Sequence, residues 1–270
     1  MTRSPEKATE LAADEIEPVV GTPTDLNPLS SLFSTLDAVI DASSGPDIRT
    51  SSAALLASFS EIVRTHRPAH APKLTFICTS GTWVHGTSRT QPVSDTTPLS
   101  APATLVVWRP AQEQAVLTST DLAGIVIRPA LVYGRGASLF APLFKGASEG
   151  AVRWFGSSED RYALIHCDDL AELYVLAAER ATLVRGLAFD AANDMTEGAD
   201  ELLRRLVRVS GARGPHEFIE PSNTYEEALT TTTLLRPYLA RSLLGWSPRK
   251  AGLVDGLETY YNAWKASAGL

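Results

Sequence analysis

The chain has 270 residues, and its 24 Lys and Arg against 31 Asp and Glu give a net charge of -7. Apolar residues make up 44% and charged residues 20%, a composition that excludes a disordered chain or a coiled coil and allows a sizeable core. No basic cluster occurs, so the sequence offers no electrostatic surface for nucleic acid or an anionic membrane.

The cysteine content and hydropathy predict a soluble, cytoplasmic protein. Cys78 and Cys167 are the two cysteines. They cannot form a disulfide framework, and they lack the spacing of metal ligands. No apolar run approaches the roughly 18 residues of a membrane span. The first seven residues lack the apolar region of a secretory signal peptide. We expect no membrane partner and no bound metal.

The predicted elements begin with a helix, because Ser4 can cap it, Pro5 suits its first position and Glu6 lies in its first turn. Strands and helices then alternate. The predicted strands are Ile16–Val20, Asp37–Ala42, Leu74–Cys78, Gly124–Arg128, Tyr162–His166 and Leu187–Ala191. The predicted helices are Asn27–Ser34, Thr50–Arg64, Pro110–Thr118, Asp169–Ala181 and Ala199–Ser210, followed by a looser helical tail. Near-continuous apolar strands separated by helices are typical of a parallel sheet covered on both faces.

Four strings resemble the extended short-chain dehydrogenases/reductases, of the sugar-nucleotide epimerase/dehydratase type. They are Thr79–Gly86, Arg128–Gly136, Ile165–Ala171 and Leu244–Pro248, in the family's order and roughly its spacing. The resemblance covers about the whole chain. It implies an α/β fold with a doubly wound, Rossmann-like parallel sheet in residues 1–135. Residues 136–270 would form a small, mostly helical substrate region in the same compact unit. The implied activity is NAD(P)-dependent chemistry on a small oxygenated metabolite.

The sequence departs from this family at its beginning. The family opens with a strand, a Gly-x-x-Gly-x-x-Gly turn that receives the pyrophosphate, a helix and a second strand. No such motif occurs, and Thr2–Lys7 resembles the segment after the family's second strand. We therefore expect an N-terminally truncated sheet and poor cofactor binding by this chain alone. Either the neighbouring strands keep unpaired edges, or Ile16–Val20 pairs directly with Asp37–Ala42.

A second departure concerns the family's Tyr-x-x-x-Lys pair, in which the phenol exchanges a proton with substrate and the lysine lowers the phenol pKa. Aligned on Glu113, the lysine position holds Arg109 and the tyrosine position holds Leu105; a shifted register offers Trp108 instead. Neither Leu nor Trp has an ionisable hydroxyl. Arg109 keeps a cation that can bind ribose hydroxyls.

The remaining candidate catalytic residues are Ser80, Thr79 and His85. The two hydroxyls can orient a carbonyl or simply end the strand in a turn, and both interpretations stay open. His85 stands where the family often has a tyrosine lining the substrate cleft; the alternative is a surface histidine. The pair Tyr261 and Lys265 has the family's spacing, but it lies near the chain end, where we interpret Tyr260, Tyr261 and Trp264 as a packing face.

The resemblance also implies binding residues. The candidate cofactor contacts are Arg3, Asp25, Ala42, Ser43, Arg109, Pro129, Ala130 and Val132, and the candidate substrate contacts are Tyr133 and Arg135. Arg3 matches the position that meets a 2′-phosphate, which favours NADP over NAD unless the side chain is merely solvated. Asp25 either contacts adenine or caps the Asn27–Ser34 helix. Asp168 is expected to cap the helix that follows it rather than to bind metal.

Three functions remain open from the sequence. The first is an epimerase/dehydratase-like oxidoreductase impaired by the missing turn and the missing phenol. The second is a non-catalytic NADP-binding or interaction protein that kept the scaffold, and the third is an inactive fragment. The expected partners are a small-molecule substrate and a second copy of the chain in a homodimer.

Overall fold

The computed structural model describes residues 1–2, 4–22, 25–136 and 139–270. The strands are β1 (Ala38–Asp41), β2 (Thr75–Thr79), β3 (Ser88–Val93), β4 (Ala123–Pro129), β5 (Leu131–Tyr133), β6 (Arg153–Phe155), β7 (Arg161–Tyr162), β8 (Leu164–His166), β9 (Ala188–Ala191), β10 (Glu197–Gly198), β11 (Glu217–Ile219) and β12 (Thr233–Leu235). The α-helices are α1 (Pro5–Ala13), α2 (Ile48–His66), α3 (Arg109–Leu117), α4 (Ala141–Ser148), α5 (Cys167–Glu179), α6 (Ala181–Val184), α7 (Ala199–Ser210), α8 (Thr224–Leu229) and α9 (Leu257–Ser267).

The main sheet is parallel and has the order β1-β2-β4-β9. Its central strands are apolar and buried on both sides, as the continuous apolar runs in the sequence predicted. Helices cover both faces: α2, α3 and the 3-10 helix Asn27–Ser34 lie on one side, and α5 and α6 lie on the other. The predicted doubly wound α/β fold is confirmed.

Side chains of the sheet alternate between two separate cores. Phe76 and Val126 pack with Phe33 and Phe59 on the side of α2 and α3. The next residue in each strand points to the other face, where Ile77 and Ile127 pack with Leu173 of α5. This period of two follows from strand geometry. The same alternation determines which polar side chains at the strand ends lie on one face and can meet.

The C-terminal part of the chain has a third core, built mainly from α4, α7 and α9. On α9, Tyr260, Tyr261 and Trp264 are buried, and the ammonium of Lys265 lies 5.0 Å from the centroid of the Tyr261 ring. The interpretation of Tyr260, Tyr261 and Trp264 as a packing face is therefore confirmed. The division of the chain at residues 135 and 136 stays a prediction.

The N-terminal segment both confirms and corrects the sequence analysis. Ser4 caps α1, its Oγ accepting the Lys7 N–H at 3.1 Å. The predicted strand Ile16–Val20 is wrong, since this segment makes a single parallel bridge, between Val20 and Thr2. Pro18 lies within the run and has no N–H for a strand ladder, which explains the interruption.

Three other local expectations are corrected. The polar segment 87–102 contains β3, which pairs in parallel with β12. The predicted strand Tyr162–His166 divides into β7 and β8, which pair with different partners. Helix α5 begins at Cys167, and His166 caps it, because its Nδ1 accepts the Asp168 N–H at 3.1 Å. No helix in the described part of the chain combines the length and the apolar character needed to cross a bilayer.

Strand β1 is the edge of the main sheet on the side of the N-terminal segment. The Ile16–Val20 segment does not pair with it, since Val20 bridges to Thr2 instead. Of the two arrangements expected from the sequence, the described residues adopt the one in which the β1 edge has no neighbouring strand.

Candidate functional site

The candidate site lies at the carboxyl ends of the parallel strands, where doubly wound sheets bind their ligands. The end of β1 contributes Asp41, Ala42 and Ser43. Asp41 is buried, and its Oδ1 accepts the Ser43 N–H at 3.0 Å, which fixes the turn after the strand. Ala42 and Ser43 are exposed beside a cavity of about 530 Å³. The two predicted cofactor contacts are thus accessible to a ligand.

The end of β2 places two hydroxyls on opposite faces of the sheet. Thr79 Oγ1 lies 2.6 Å from the hydroxyl of Tyr174 on α5, and burial raises the pKa of Tyr174 to about 12. Ser80 Oγ donates to Glu113 Oε1 on α3 at 2.5 Å. Both candidate hydroxyls are therefore engaged by the protein itself, and a ligand oxygen would have to compete with these bonds.

Glu113 and Arg128 form a buried ion pair beneath Ser80. Arg128 donates from Nε and Nη2 to Glu113 Oε2, at 3.0 and 2.7 Å. Burial works against the charge, yet these bonds and the nearby Asp190 carboxylate hold the pKa of Arg128 above its usual value. The Arg128 Nη1 lies 3.5 Å from Asp190 Oδ1. The cation thus links α3 and β9 behind the candidate site.

His85 belongs to the same buried network. Its Nε2 lies 2.9 Å from Asp190 Oδ2, and both side chains are fully buried. Its Nδ1 has no hydrogen-bond partner among the described residues. The Asp190 backbone N–H donates to Asp95 Oδ1 at 2.8 Å. His85 is therefore not a surface histidine, because its side chain has no contact with solvent. Its catalytic role remains a prediction.

Sequence analysis did not assign roles to Asp95, Arg128 or Asp190. A signal existed for two of them, since Arg128 and Asp190 interrupt otherwise apolar strands. A charged residue in a buried strand requires a partner, because an isolated buried charge is very unfavourable. The sequence could have shown that partners exist, but not which residues they are.

The position of the family's Tyr-x-x-x-Lys pair lies next to this edge. Leu105 is in the 3-10 helix Thr104–Val106 and carries no hydroxyl. Arg109 begins α3, where its Nη1 donates to the Thr79 carbonyl at 3.0 Å and its guanidinium lies 4.7 Å from the Trp108 ring. Burial lowers the pKa of Arg109, while nearby acidic groups oppose that shift. In the alignment expected from the sequence, the lysine position thus holds the cation of Arg109 and the tyrosine position holds no phenol.

The predicted contacts after β4 differ in accessibility. Pro129 ends β4, and the Ala130 N–H donates to the Ala191 carbonyl at 2.9 Å, while Val132 is half-buried. Tyr133 is fully buried, and its hydroxyl donates to the Ala251 carbonyl at 2.8 Å. The predicted substrate role of Tyr133 thus falls on a core residue, and it remains a prediction.

Arg135 is exposed and in a left-handed conformation with φ 53°, and its Nε donates to Asp168 Oδ1 at 2.7 Å. Lys250 Nζ lies 3.2 Å from Asp168 Oδ2. His166, Cys167 and Asp168 bring three ligand-type atoms within 4.8 Å of one another. Two cations already neutralise the carboxylate of this trio, so the donor set does not fit a metal ion.

Gly134, which follows Tyr133 at the end of β5, requires a glycine for a physical reason. Its φ is 97°, and a Cβ at this position would lie 2.3 Å from His166 Nε2. Only glycine combines this backbone conformation with such a close approach. The glycine of the Tyr-Gly string therefore serves the packing of β5 against the start of α5.

Two predicted cofactor contacts lie in the N-terminal segment. Arg3 lies outside the described residues. Asp25 is exposed, and its backbone N–H donates to the Thr22 carbonyl at 3.0 Å. Leu26 occupies the N-cap position of the Asn27–Ser34 helix, and both roles expected for Asp25 remain predictions.

The polar groups beside β1 suit only part of a dinucleotide. The described residues that line the cavity beside β1 include Asp41, Ser43 and Ser44 but no Lys or Arg side chain. They offer no cation for a diphosphate. Arg109 and the polar residues after β1 suit ribose hydroxyls instead. The described site therefore fits part of a nicotinamide nucleotide and does not fit its diphosphate.

No protein-family model matches the sequence, and no curated protein matches it. Solved structures do resemble it. dTDP-glucose 4,6-dehydratase from Bacillus anthracis, in complex with NAD, has a TM-score of 0.78 at 14% identity, over 97% of this chain and 85% of that one. A UDP-glucuronic acid 4-epimerase variant from Bacillus cereus, in complex with UDP-4-deoxy-4-fluoro-glucuronic acid and NAD, has a TM-score of 0.76 at 19% identity, over 99% and 89%.

An epimerase from Methanothermobacter thermautotrophicus has a TM-score of 0.75 at 15% identity, over 94% of this chain and 80% of that one. These likenesses extend over almost the whole chain at low sequence identity. The chain thus shares the fold of these dehydratase and epimerase structures, and the resemblance seen in its motifs is confirmed at the level of fold.

Proposed function

We propose that this protein binds a nicotinamide-type nucleotide and a sugar-nucleotide-like ligand at the carboxyl edge of its sheet, without efficient redox turnover. The fold, shared with proteins whose structures contain NAD and nucleotide sugars, supports the ligand class. The absence of a phenol at Leu105 supports impaired turnover. This is the observation on which the proposal depends, because a neutral leucine cannot exchange a proton with a substrate oxygen.

The engaged hydroxyls support the same conclusion. Ser80 donates to Glu113, and Thr79 pairs with Tyr174, whose pKa is raised by burial to about 12. A phenol with such a pKa is a poor proton-exchange group near neutral pH. We therefore assign Ser80 and Thr79 to positioning within the fold, and His85 to the buried network behind them.

Arg109 is the residue to which we assign ribose binding. One of its N–H groups donates to Thr79, and a guanidinium has five such donors. Its neighbourhood at the ends of β1 and β2 includes Asp41, which acts on its charge. When bound, a nicotinamide cofactor would supply hydride chemistry at this edge. The chain's own contribution would be to hold the ribose and exclude water.

The test is calorimetric titration with NADH, NADPH and reduced nicotinamide mononucleotide, which lacks the adenosine diphosphate half. We expect similar, weak affinities for all three ligands, because the described residues offer nothing to the diphosphate. A preference for NADPH over NADH would instead support the predicted role of Arg3. Arg109→Met should weaken binding by about tenfold or more, as loss of a charged hydrogen bond implies. The control Arg64→Met changes an exposed arginine elsewhere on the surface.

Turnover is tested separately by following NADPH absorbance with nucleotide-sugar substrates. Sustained oxidation by the unmodified protein would contradict the proposal and favour an active oxidoreductase. Failure of every nucleotide to bind would contradict it in the other direction and favour an inactive fragment. The homodimer predicted from the family resemblance remains a prediction, which sedimentation of the same samples tests.

A further inference from the structure

Two aromatic rings meet beside the candidate site, one from each side of the cleft between the main sheet and the later part of the chain. Trp83 lies in the 3-10 helix Thr82–His85, which follows the end of β2, and Tyr225 lies on α8. Their ring centroids are 6.4 Å apart, and the ring planes are inclined at 80°. We call this pair of nearly perpendicular rings the aromatic corner.

The backbone places Trp83 next to the residues of the candidate site. The Trp83 carbonyl accepts the Ala103 N–H at 3.0 Å, and Ala103 directly precedes the 3-10 helix that contains Leu105. On its other side, Trp83 is two residues from Gly81, where a Cβ would lie 3.8 Å from the Pro129 carbonyl. Trp83 therefore lies between Leu105 and the ends of β2 and β4, although the sequence analysis gave it no role.

The geometry of the aromatic corner suits a flat ring. Trp83 is half-buried and Tyr225 is 43% exposed, so part of each ring remains accessible to a ligand. Aromatic rings favour offset-stacked and edge-to-face arrangements. A planar ligand ring that stacks on one member of a perpendicular pair directs its edge at the other member. Both favourable arrangements are then made at once.

Carboxylates outnumber cations in the buried network behind this edge of the sheet. The carboxylates are those of four buried residues, Asp41, Asp95, Glu113 and Asp190. Two guanidiniums lie among them, those of Arg109 and Arg128. Even a protonated His85 would leave the carboxylates in excess. The local potential is therefore negative and favours a ligand that carries positive charge, because charges interact strongly where water is excluded.

We propose that Trp83 and Tyr225 hold the nicotinamide ring and select its oxidised form over its reduced form. This inference rests on the proposed nucleotide binding. The oxidised ring is a planar pyridinium cation, whereas the reduced ring is neutral. A cation over an aromatic face is attracted by the ring quadrupole, most strongly over the indole of Trp. The edge already holds one such contact, between the Arg109 guanidinium and the Trp108 ring, 4.7 Å apart.

An uncharged aromatic ring is a poorer occupant of the aromatic corner. A nucleobase would make the same stacking and edge contacts with Trp83 and Tyr225. It would gain nothing from the excess of buried carboxylates, which the pyridinium uses as well. A protein with this preference retains the oxidised nucleotide, which agrees with a binding role in which no reduced cofactor is consumed.

The test is calorimetric titration with oxidised and with reduced nicotinamide mononucleotide. The two ligands share the ribose and the phosphate and differ in the ring, so a difference in affinity reports on the ring contacts. We expect the oxidised form to bind about tenfold more tightly to the unmodified protein. Trp83→Leu should remove most of this difference by weakening the oxidised form, and Trp83→Phe, which keeps a smaller aromatic face, should retain part of it.

A matched pair of tyrosine variants localises the effect and does not depend on replacing a half-buried tryptophan. Tyr225→Leu removes the second ring of the aromatic corner and should reduce the preference for the oxidised form about threefold. Tyr238→Leu changes a tyrosine of similar exposure, 45%, outside the aromatic corner and should leave the preference unchanged. Both tyrosines are exposed, so we expect both variants to fold.

Three results would overturn the inference. Equal affinity of the unmodified protein for the two forms would overturn it and leave the proposed nucleotide binding intact. A preference that persists undiminished in both Trp83→Leu and Tyr225→Leu would assign the selection to the buried carboxylates alone. Failure of both forms to bind would overturn this inference together with the proposed function.

Discussion

Replacing Glu113 by glutamine should destabilise the protein strongly, because it breaks the buried ion pair with Arg128. The substitution removes the negative charge and one of the two oxygens, which accept from Ser80 at 2.5 Å and from two Arg128 N–H groups at 3.0 and 2.7 Å. Breaking a buried pair by removing one partner typically costs about 3–5 kcal/mol. Asp190 remains 3.5 Å from Arg128 and offsets part of the loss, so we expect about 3 kcal/mol.

The assay is urea unfolding followed by circular dichroism, with the melting temperature as a second measure. A loss of about 3 kcal/mol corresponds to a decrease of roughly 6–12 °C for a domain of this size. The control Glu149→Gln changes an exposed carboxylate 3.9 Å from Lys145 and should cost no more than about 1 kcal/mol. The double variant Glu113→Gln, Arg128→Met should cost less than the sum of its single variants. A Glu113→Gln effect equal to that of Glu149→Gln would refute the reasoning.

Three further predictions concern single side chains. Tyr174→Phe removes the 2.6 Å contact with Thr79 and should lower the free energy of unfolding by about 1 kcal/mol in urea titration. Burial raises the pKa of the Cys78 thiol to about 12, so a thiol reagent should modify the more exposed Cys167 first and reach Cys78 only on unfolding; equal rates in the native protein would contradict this. The hydrogen-bonded ion pair with Arg135 is the main cause that lowers the pKa of the Asp168 carboxyl from 3.8 to about 2, and Lys250 adds to it. Its contribution to stability should therefore be complete above about pH 4 and disappear as the pH falls toward 2, and Asp168→Asn should flatten the pH dependence of urea unfolding in that interval.

The buried network also bears on the proposed function. A binding protein needs a rigid edge more than it needs a mobile proton donor. Glu113, Arg128 and Asp190 tie α3, β4 and β9 together directly behind the strand ends that would hold a ligand. We expect a loss of stability there to accompany weaker ligand binding, because the same contacts orient Ser80 and the start of α3.

Much of the fold could be predicted from local patterns. The apolar run around Phe76 and Ile77 predicted a buried strand, and the cap at Ser4 predicted the first helix. The segment at Pro18 misled the analysis, because its apolar residues suggested a strand while its proline interrupts the ladder. Strand β3 was missed for the opposite reason. Its polar, exposed side chains have no apolar period, and its position depends on pairing with β12, more than a hundred residues away.

The sequence by itself determined the alternation of strands and helices and the lack of a phenol at Leu105. Both are local properties, since side-chain period and residue identity need no knowledge of distant neighbours. Only the tertiary structure decided that Ser80 meets Glu113, that His85 meets Asp190 across 105 positions of sequence, and that β1 lies at the edge of the sheet formed by the described residues. Those outcomes depend on strand order and on the face to which each side chain points, and residues far apart in the chain become neighbours only when the sheet assembles.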